Sequence, residues 1–415
     1  MQKYTKELLC ISDALKYEAD QIISLFKENK EVYNISIPAL SLTLSIINEK
    51  LIVFEEDEES ALKLFNGVKS FSEFFNLKAH TVLLQTEGSE RYKAIFDILQ
   101  GKAKKIITTL KASKIDPDFK KLSVCLKKGQ NIERDSLLNK LLKAGYSHVE
   151  MVVQEGEFSH HGWVFDIWII GEDYPVRVEF FGDEIEDIKL FYPDTQRSFK
   201  DREEIWLIPA FENNPYIEIT ELTDTETIFA VDKSYHSEKF NVIKLSHLPF
   251  KFSDKSEDAG DKTFAGLGIL PKERKSVTDF PLKLKGLNIP VIVVAGSHAQ
   301  AEILKEILFN NDIVAPVINK NEVGSYSGKY AVTVSELFAG LHRENIMILT
   351  ETEIFGEKPL KKKKIPIQKI PFDGLEIKED DYVVHKEHGI GIFKTIKRQR
   401  YEAHEEEVLV LEYKA

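Results

Sequence analysis

The sequence predicts a multidomain α/β protein, in which an antiparallel β-rich domain is inserted after a first α/β unit and is followed by a second α/β unit and a short β-type stretch. Three observations carry that reading. Short apolar runs alternate with helical stretches through about residue 120. Closely spaced strands rich in Val, Ile, Phe and Trp follow. A buried strand leading into a helix then returns at 291–309.

From residue 5 to about 29, Leu8, Leu9, Leu15, Ile22, Ile23 and Leu25 recur at helical spacing among charges. Strand-like runs at 51–54, 81–84 and 105–109 alternate with helical stretches at 59–75 and 90–100, a βαβ rhythm that implies a mostly parallel sheet. After a helical stretch at 136–144, strands are expected at 149–154, 162–170, 176–181 and 186–191, separated by Gly- and Asp-containing turns. The pattern weakens beyond Trp206. It recovers at 291–295, a strand followed by Gly296-Ser297 and a helix at 300–309 with Ile303, Leu304, Ile307 and Leu308 on one apolar face. A further buried strand is expected at 346–350. Residues 358–371, with three prolines and four lysines at 361–364, read as a stiff, solvated linker, and 381–413 is β-type. There Gly389 and Gly391 suit a bend or bulge.

A length of 415 residues exceeds what one core organises, so two to four domains are expected. With 43% hydrophobic and 30% charged residues the chain has ordinary globular composition. Fifty-six basic against 68 acidic side chains give a net charge of −12, so the surface as a whole does not attract nucleic acid and any DNA contact is local. Cys10 and Cys125 match no metal-ligand spacing and suit a reducing compartment. No apolar run approaches a membrane span, and Met1 opens onto charged residues rather than a signal-peptide core, so a cytoplasmic location is expected.

Signs of chemistry are weak. A phosphate-binding loop ends in Gly-Lys-Ser/Thr after a glycine five residues earlier. Gly101-Lys102 leads to Ala103 with Phe96 at the earlier position, and Gly328-Lys329 leads to Tyr330 with Val323 there. The loop after Gly296-Ser297 has no lysine. His385 with His388, and the adjacent His160-His161, lack the further ligands that zinc requires. No Gly-x-Ser-x-Gly context marks a nucleophile. No catalytic residue, metal or cofactor is therefore expected in this chain.

The β-rich segment reads Gly145-Tyr146, then Val153-Gln154-Glu155-Gly156-Glu157-Phe158-Ser159-His160-His161-Gly162, Asp166-Ile167, Pro175-Val176-Arg177-Val178-Glu179-Phe180-Phe181-Gly182-Asp183-Glu184-Ile185, and Thr195-Gln196-Arg197-Ser198. This string resembles the UvrA-binding domain shared by UvrB and the transcription-repair coupling factors. Leu349-Thr350-Glu351-Thr352-Glu353-Ile354-Phe355-Gly356 looks like the signature that closes the domain before the coupling factors' linker. Asp381-Tyr382-Val383-Val384-His385 with Glu387-His388-Gly389-Ile390-Gly391-Ile392-Phe393 is similar to their CarD-like, RNA-polymerase-interacting domain. The chain thus resembles the N-terminal portion of a coupling factor.

The resemblance implies a UvrB-like domain 1A without a phosphate loop over 1–120, the UvrA-binding domain 2 over 121–205, and a domain 1B over 206–265 that returns to the 1A sheet. An α/β domain 3 over 266–357, a linker over 358–375 and an incomplete CarD-like domain over 376–415, a partial small β-barrel of CarD/Tudor type, complete the layout. Full-length relatives continue into a DNA translocase motor that uses ATP and Mg, and a C-terminal regulatory domain. The chain is accordingly expected to be a truncated product or a fragment. DNA would be met mainly through the motor.

Along 176–181, alternation places Val176, Val178 and Phe180 on a core face and Arg177, Glu179 and Phe181 on the other. The resemblance maps UvrA contacts onto Arg177 and Phe181, and a third, an arginine in the family, onto His161; Trp163 stands where relatives carry a small residue. A second reading leaves Phe181 packed under the Gly182-Asp183 turn and Arg177 paired with Glu179 or Asp183. Docking on the polymerase β subunit is implied for Lys397, Arg398, Gln399, Arg400 and Tyr401, which a solvated hairpin tip would equally explain. The expected function is an adaptor, not an enzyme, that binds UvrA and RNA polymerase and recruits nucleotide excision repair to stalled transcription. The alternative is part of an ATP-dependent translocase or UvrB-like incision factor whose motor lies outside this chain.

Overall fold

A computed structural model describes residues 10–78, 80–213, 215–225, 227–262, 280–337, 339–355, 382–385, 389–401 and 404–413. The linker at 358–375 with its lysine run, the first nine residues and His388 lie outside the described residues. Two units are distinguished, Met1–Leu360 and Lys361–Ala415.

The first unit is built on a seven-stranded parallel sheet. In spatial order its strands are Glu257–Asp258, Glu31–Tyr33, Asn241–Leu245, Thr227–Ala230, Leu51–Glu55, Lys105–Thr109 and Thr81–Leu84. Leu51–Glu55 is buried throughout, as a parallel strand covered on both faces requires. Its Ile52 and Phe54 enter one core with the helix Ser89–Leu99, while Leu51 and Val53 enter another with Ile11–Glu28, Ile37–Ile46 and Glu58–Phe74. Asp57 accepts the Ser60 N–H at 2.8 Å and fixes the start of Glu58–Phe74.

Two short antiparallel ribbons carry the chain out of this sheet and back. Val124–Lys127 pairs with Glu204–Leu207, and Lys114–Ile115 with Ile217–Glu218. Between them lies a six-stranded sheet in the order Ser198–Asp201, Glu184–Phe191, Val176–Phe181, Val164–Ile167, Glu157–His161, Ser147–His148. It is antiparallel except at the last pair. The helix Arg134–Lys143 contributes Leu137 and Leu141 to the core under Phe158, Phe165, Val178 and Phe180.

The expected strand at 149–154 is not formed. The N–H groups of Val153 and Gln154 are turned onto the Glu157 carboxylate at 2.9 and 3.0 Å, and Gly156, at φ +81°, reverses the chain so that pairing begins at Glu157. A helix that periodicity does not reveal, Ile37–Ile46, carries no charged residue and is buried from Pro38 to Ser45, its Ser41, Thr43 and Ser45 included.

A five-stranded sheet follows, in the order Val317–Ile318, Tyr330–Val334, Val291–Ala295, Met347–Thr350, Leu341–His342, with the last pair antiparallel. Ile292, Val294, Ala331 and Ile348 share a core with the helix Ile11–Glu28. A buried ion network reinforces that contact. Arg343 Nε donates to Glu18 at 2.7 Å, its Nη1 meets Asp261, and the Asn345 backbone and side chain bond Glu18 at 2.9 and 2.7 Å.

The second unit is a three-stranded antiparallel sheet, Tyr382–His385, Gly389–Tyr401 and His404–Glu412. Gly389 and Gly391 sit in regular register opposite His385 and Val383; the irregularity falls between Phe393 and Thr395. Among the described residues no barrel closes. No described helix is long and apolar enough to cross a membrane.

Candidate partner-binding face

Strand register builds the candidate face. His161 stands opposite Val164, and Val164 opposite Glu179; one row along, Ser159, Asp166, Arg177 and Lys189 are successive partners. Because side chains two apart share a side, His161, Arg177 and Phe181 all lie on one face. The opposite face is core, with Val176, Val178 and Phe180 buried.

The Arg177 guanidinium grips Asp166 with two bonds, Nε to Oδ1 and Nη2 to Oδ2, each 2.8 Å. It also donates to the Gln196 backbone at 3.1 Å and side chain at 3.4 Å, and lies 4.8 Å from the Phe191 ring centroid. Glu179 or Asp183, the partners considered from sequence, are not used. Asp166 prevails because it lies directly across the ladder from Arg177, whereas Glu179 pairs with Lys189 at 3.1 Å. Lys189 and Lys128 both reach Asp187, at 3.0 and 2.5 Å. Sequence reasoning missed Asp166 and Gln196; the only signal was an acid in a neighbouring strand, and it needed the register to be read.

Phe181 does not pack under the following turn: 77% of it is exposed. It precedes a two-residue hairpin turn with Gly182 at φ +65°, and the neighbouring hairpin turns through Gly162 at φ +62°, each glycine taking the positive φ that a type II′ turn needs. The Phe180 N–H donates to Trp163 O at 2.8 Å, so the two turns lie side by side. The segment before the helix Arg134–Lys143 runs along them, with Ile132 N–H on Asp183 O at 2.8 Å. His161 is exposed, and its Nε2 lies 2.9 Å from Glu150 O.

In the second unit, Lys397, Arg398, Gln399, Arg400 and Tyr401 lie on the strand Gly389–Tyr401, in register with Val408, Glu407, Glu406, Glu405 and His404. The side chains of those five lie outside the described residues. Tyr382–His385 covers the other edge of that strand only as far as Ile392, so among the described residues the edge beyond it is open.

Two βα loops stand where phosphates bind in nucleotide folds. After Leu51–Glu55 the chain reads Glu56-Asp57-Glu58-Glu59, carboxylates instead of a glycine-rich cradle. After Val291–Ala295 the Gly296 N–H is taken by Glu351 Oε1 at 2.9 Å, and Ser297 caps Gln300 at 3.3 Å. A cleft of about 540 Å³ at the carboxyl ends of Thr227–Ala230 and Asn241–Leu245 is lined in part by Lys233, Lys244, Lys251 and Phe250.

Known families match two segments of the chain. The UvrB interaction domain matches residues 124–212, and the CarD-like/TRCF RID domain matches 377–415. The transcription-repair-coupling factor of Escherichia coli is 40% identical over 90 residues, 22% of this chain and 8% of the relative. That of Borreliella burgdorferi is 25% identical over 451 aligned positions, 88% of this chain and 39% of the relative. The UvrABC system protein B of Pseudarthrobacter chlorophenolicus is 38% identical over 87 residues, 21% of this chain and 12% of the relative. The chain spans well under half the length of these relatives. It is thus related to the transcription-repair-coupling factors, and carries a UvrB interaction domain followed by a CarD-like/TRCF RID domain.

Proposed function

We propose that this chain is an adaptor: it binds UvrA through the outer face of the β-rich domain and the RNA polymerase β subunit through the second unit, recruiting nucleotide excision repair to stalled transcription in the cytoplasm. The observation that carries the reading is the shared face of His161, Arg177 and Phe181, with Phe181 exposed inside the matched UvrB interaction domain. A large exposed aromatic beside an arginine is the composition of an interface anchor. For the polymerase, the edge beyond Ile392, open among the described residues, offers main-chain groups to an added strand, with Lys397, Arg398, Gln399, Arg400 and Tyr401 along it.

In this reading the chain does no chemistry and holds no nucleotide. The Gly296 amide engaged by Glu351 and the carboxylate-rich loop after Leu51–Glu55 support that. DNA-stimulated ATP hydrolysis by the purified chain, tracking with it through a second column, would contradict it.

The direct test is calorimetric titration with purified cognate UvrA, beside Phe181→Ala and Arg177→Ala. The parent should bind, and loss of the Phe181 ring should weaken binding about 10-fold or more. A parent chain that does not bind UvrA overturns the reading.

A further inference from the structure

Two arginines stand near the exposed aromatics of the β-rich domain, and their hydrogen bonds separate them. Arg177 commits four of its five N–H groups within the chain, two to Asp166 and two to Gln196. Arg134 commits one, Nη1 to Gly162 O at 3.2 Å; its Nε is buried without an acceptor, so the edge a partner can reach is that of Nη1 and Nη2. No carboxylate pairs with Arg134 among the described residues, although Glu133 and Asp135 flank it in the chain. The nearby cations Lys128 and Lys189 are paired with Asp187 and Glu179.

What holds Arg134 is an indole. Its guanidinium lies 3.9 Å from the Trp163 ring centroid, a stack that fixes the plane of the fork before any partner arrives. Trp163 is itself 52% exposed, and its turn abuts that of Phe181. A half-exposed tryptophan and the arginine stacked on it, which no described carboxylate pairs, contribute little to folding stability. They combine the residue types that dominate binding energy in protein interfaces. His161 cannot stand in for the fork, since its Nε2 is engaged with Glu150 O and imidazole has no planar pair of donors.

This inference rests on the UvrA-docking reading and makes it more specific. We propose that Arg134 and Trp163, at the turn end of the sheet on the side of the helix Arg134–Lys143, form a second anchor next to the turn that follows Phe181, and receive a protein partner that presents a carboxylate beside an apolar side chain. Arg134 supplies the bidentate contact, and Trp163 sets its orientation.

The experiment is titration of the whole chain with cognate UvrA for the parent, Phe181→Ala, Arg134→Gln, Arg134→Lys and Trp163→Ala, each with its thermal transition recorded. Arg134→Gln and Trp163→Ala should each weaken binding about 10- to 30-fold with an unchanged transition. Arg134→Lys should not restore it, because lysine lacks the fork. If both Arg134→Gln and Trp163→Ala bind within twofold of the parent while Phe181→Ala binds poorly, the Arg134–Trp163 anchor is wrong and the docking reading survives. A parent that does not bind, or a Phe181→Ala variant that binds as the parent does, removes both.

Discussion

The ion network between the helix Ile11–Glu28 and the five-stranded sheet should be a large single contributor to the joint between those parts, and Arg343→Met tests it. The side chains of Arg343, Glu18 and Asp261 are each under 8% exposed, so removing the arginine strands two carboxylates that water does not reach freely. Breaking a buried pair in this way costs about 3–5 kcal/mol. Here the lower end applies, because Glu18 keeps two bonds from Asn345 and Asp261 keeps the Ser36 N–H at 2.6 Å. Burial already holds Asp261 above the usual carboxylate range, against the pull of Arg343 and Ser36. Without the arginine it should rise further and take up a proton, so the deficit of the variant should shrink as pH falls from 7 to 5. Urea unfolding of parent and variant at both pH values reads this, as a loss of about 3 kcal/mol at pH 7 that is smaller at pH 5. The neutral triple variant Glu18→Gln, Asp261→Asn, Arg343→Met should recover much of the loss, since apolar or neutral replacements of whole buried networks are tolerated. A single variant as stable as the parent at pH 7 would refute the argument, because the carboxylates would then have to be hydrated.

Three further outcomes follow from the central sheet and the β-rich insert. Burial, aided by the charge of Lys104, pulls Lys105 down to about 8, while its Nζ donates to Ser45 O at 3.0 Å. A depressed lysine makes stability rise with pH between about 8 and its unfolded value of about 10.4, by about 3 kcal/mol in all. Lys105→Met should remove that slope in denaturation curves and be the more stable protein at pH 7. Burial pulls His247 down, but the Glu55 carboxylate and the Ile35 carbonyl outweigh it and leave its pKa raised. Its stabilisation is thus complete below about 6.5 and lost as pH rises through the raised value, so His247→Gln should flatten the stability profile in that window. Gly145 sits at φ +87° with the Phe211 ring where a Cβ would go, so Gly145→Ala should lower the melting temperature, by about 1–3 kcal/mol in stability.

The parts of the fold legible in the sequence are those whose burial is periodic. The strands at 51–55, 81–84, 105–109 and 291–295 are runs rich in branched residues next to helices, 176–181 alternates strictly, and their bounds shift by no more than a residue. Ile37–Ile46 escaped because a helix buried on every side has no polar stripe to set a period. Thr227–Ala230 and Asn241–Leu245 escaped for a different reason. They are four and five residues long, and their place in the sheet comes from distant pairing: Thr227–Ala230 with Leu51–Glu55, about 175 residues earlier by the register Thr227 to Leu51, and Asn241–Leu245 with Glu31–Tyr33. The segment at 149–154 shows the converse error. It has a strand's composition, but one carboxylate, Glu157, takes the amides that a ladder would need.

The candidate face was legible as an alternation and illegible as a set of partners. Val176–Phe181 alternates so regularly that its two faces follow from the period alone, and the burial agrees at every position. Which carboxylate holds Arg177 is a question of register, which single-strand alternation does not contain. The two hairpin turns fix it: Gly162 and Gly182 each close a two-residue loop, and the two hairpins pair so that Asp166 faces Arg177. The same two turns abut through the Phe180 N–H and Trp163 O and set Trp163 under Arg134, a contact between residues 29 positions apart that no local pattern announces. The turns that set the register are therefore also what assembles the exposed anchor. Lengthening the Gly162 turn by one residue would flip every side chain from one face to the other along Val164–Ile167, breaking the Arg177–Asp166 pair and the Arg134–Trp163 stack together. Such an insertion should abolish UvrA binding and lower stability at once, whereas Trp163→Ala should affect binding alone. A pair of melting and titration curves separates a surface that the register builds from one that would survive its loss.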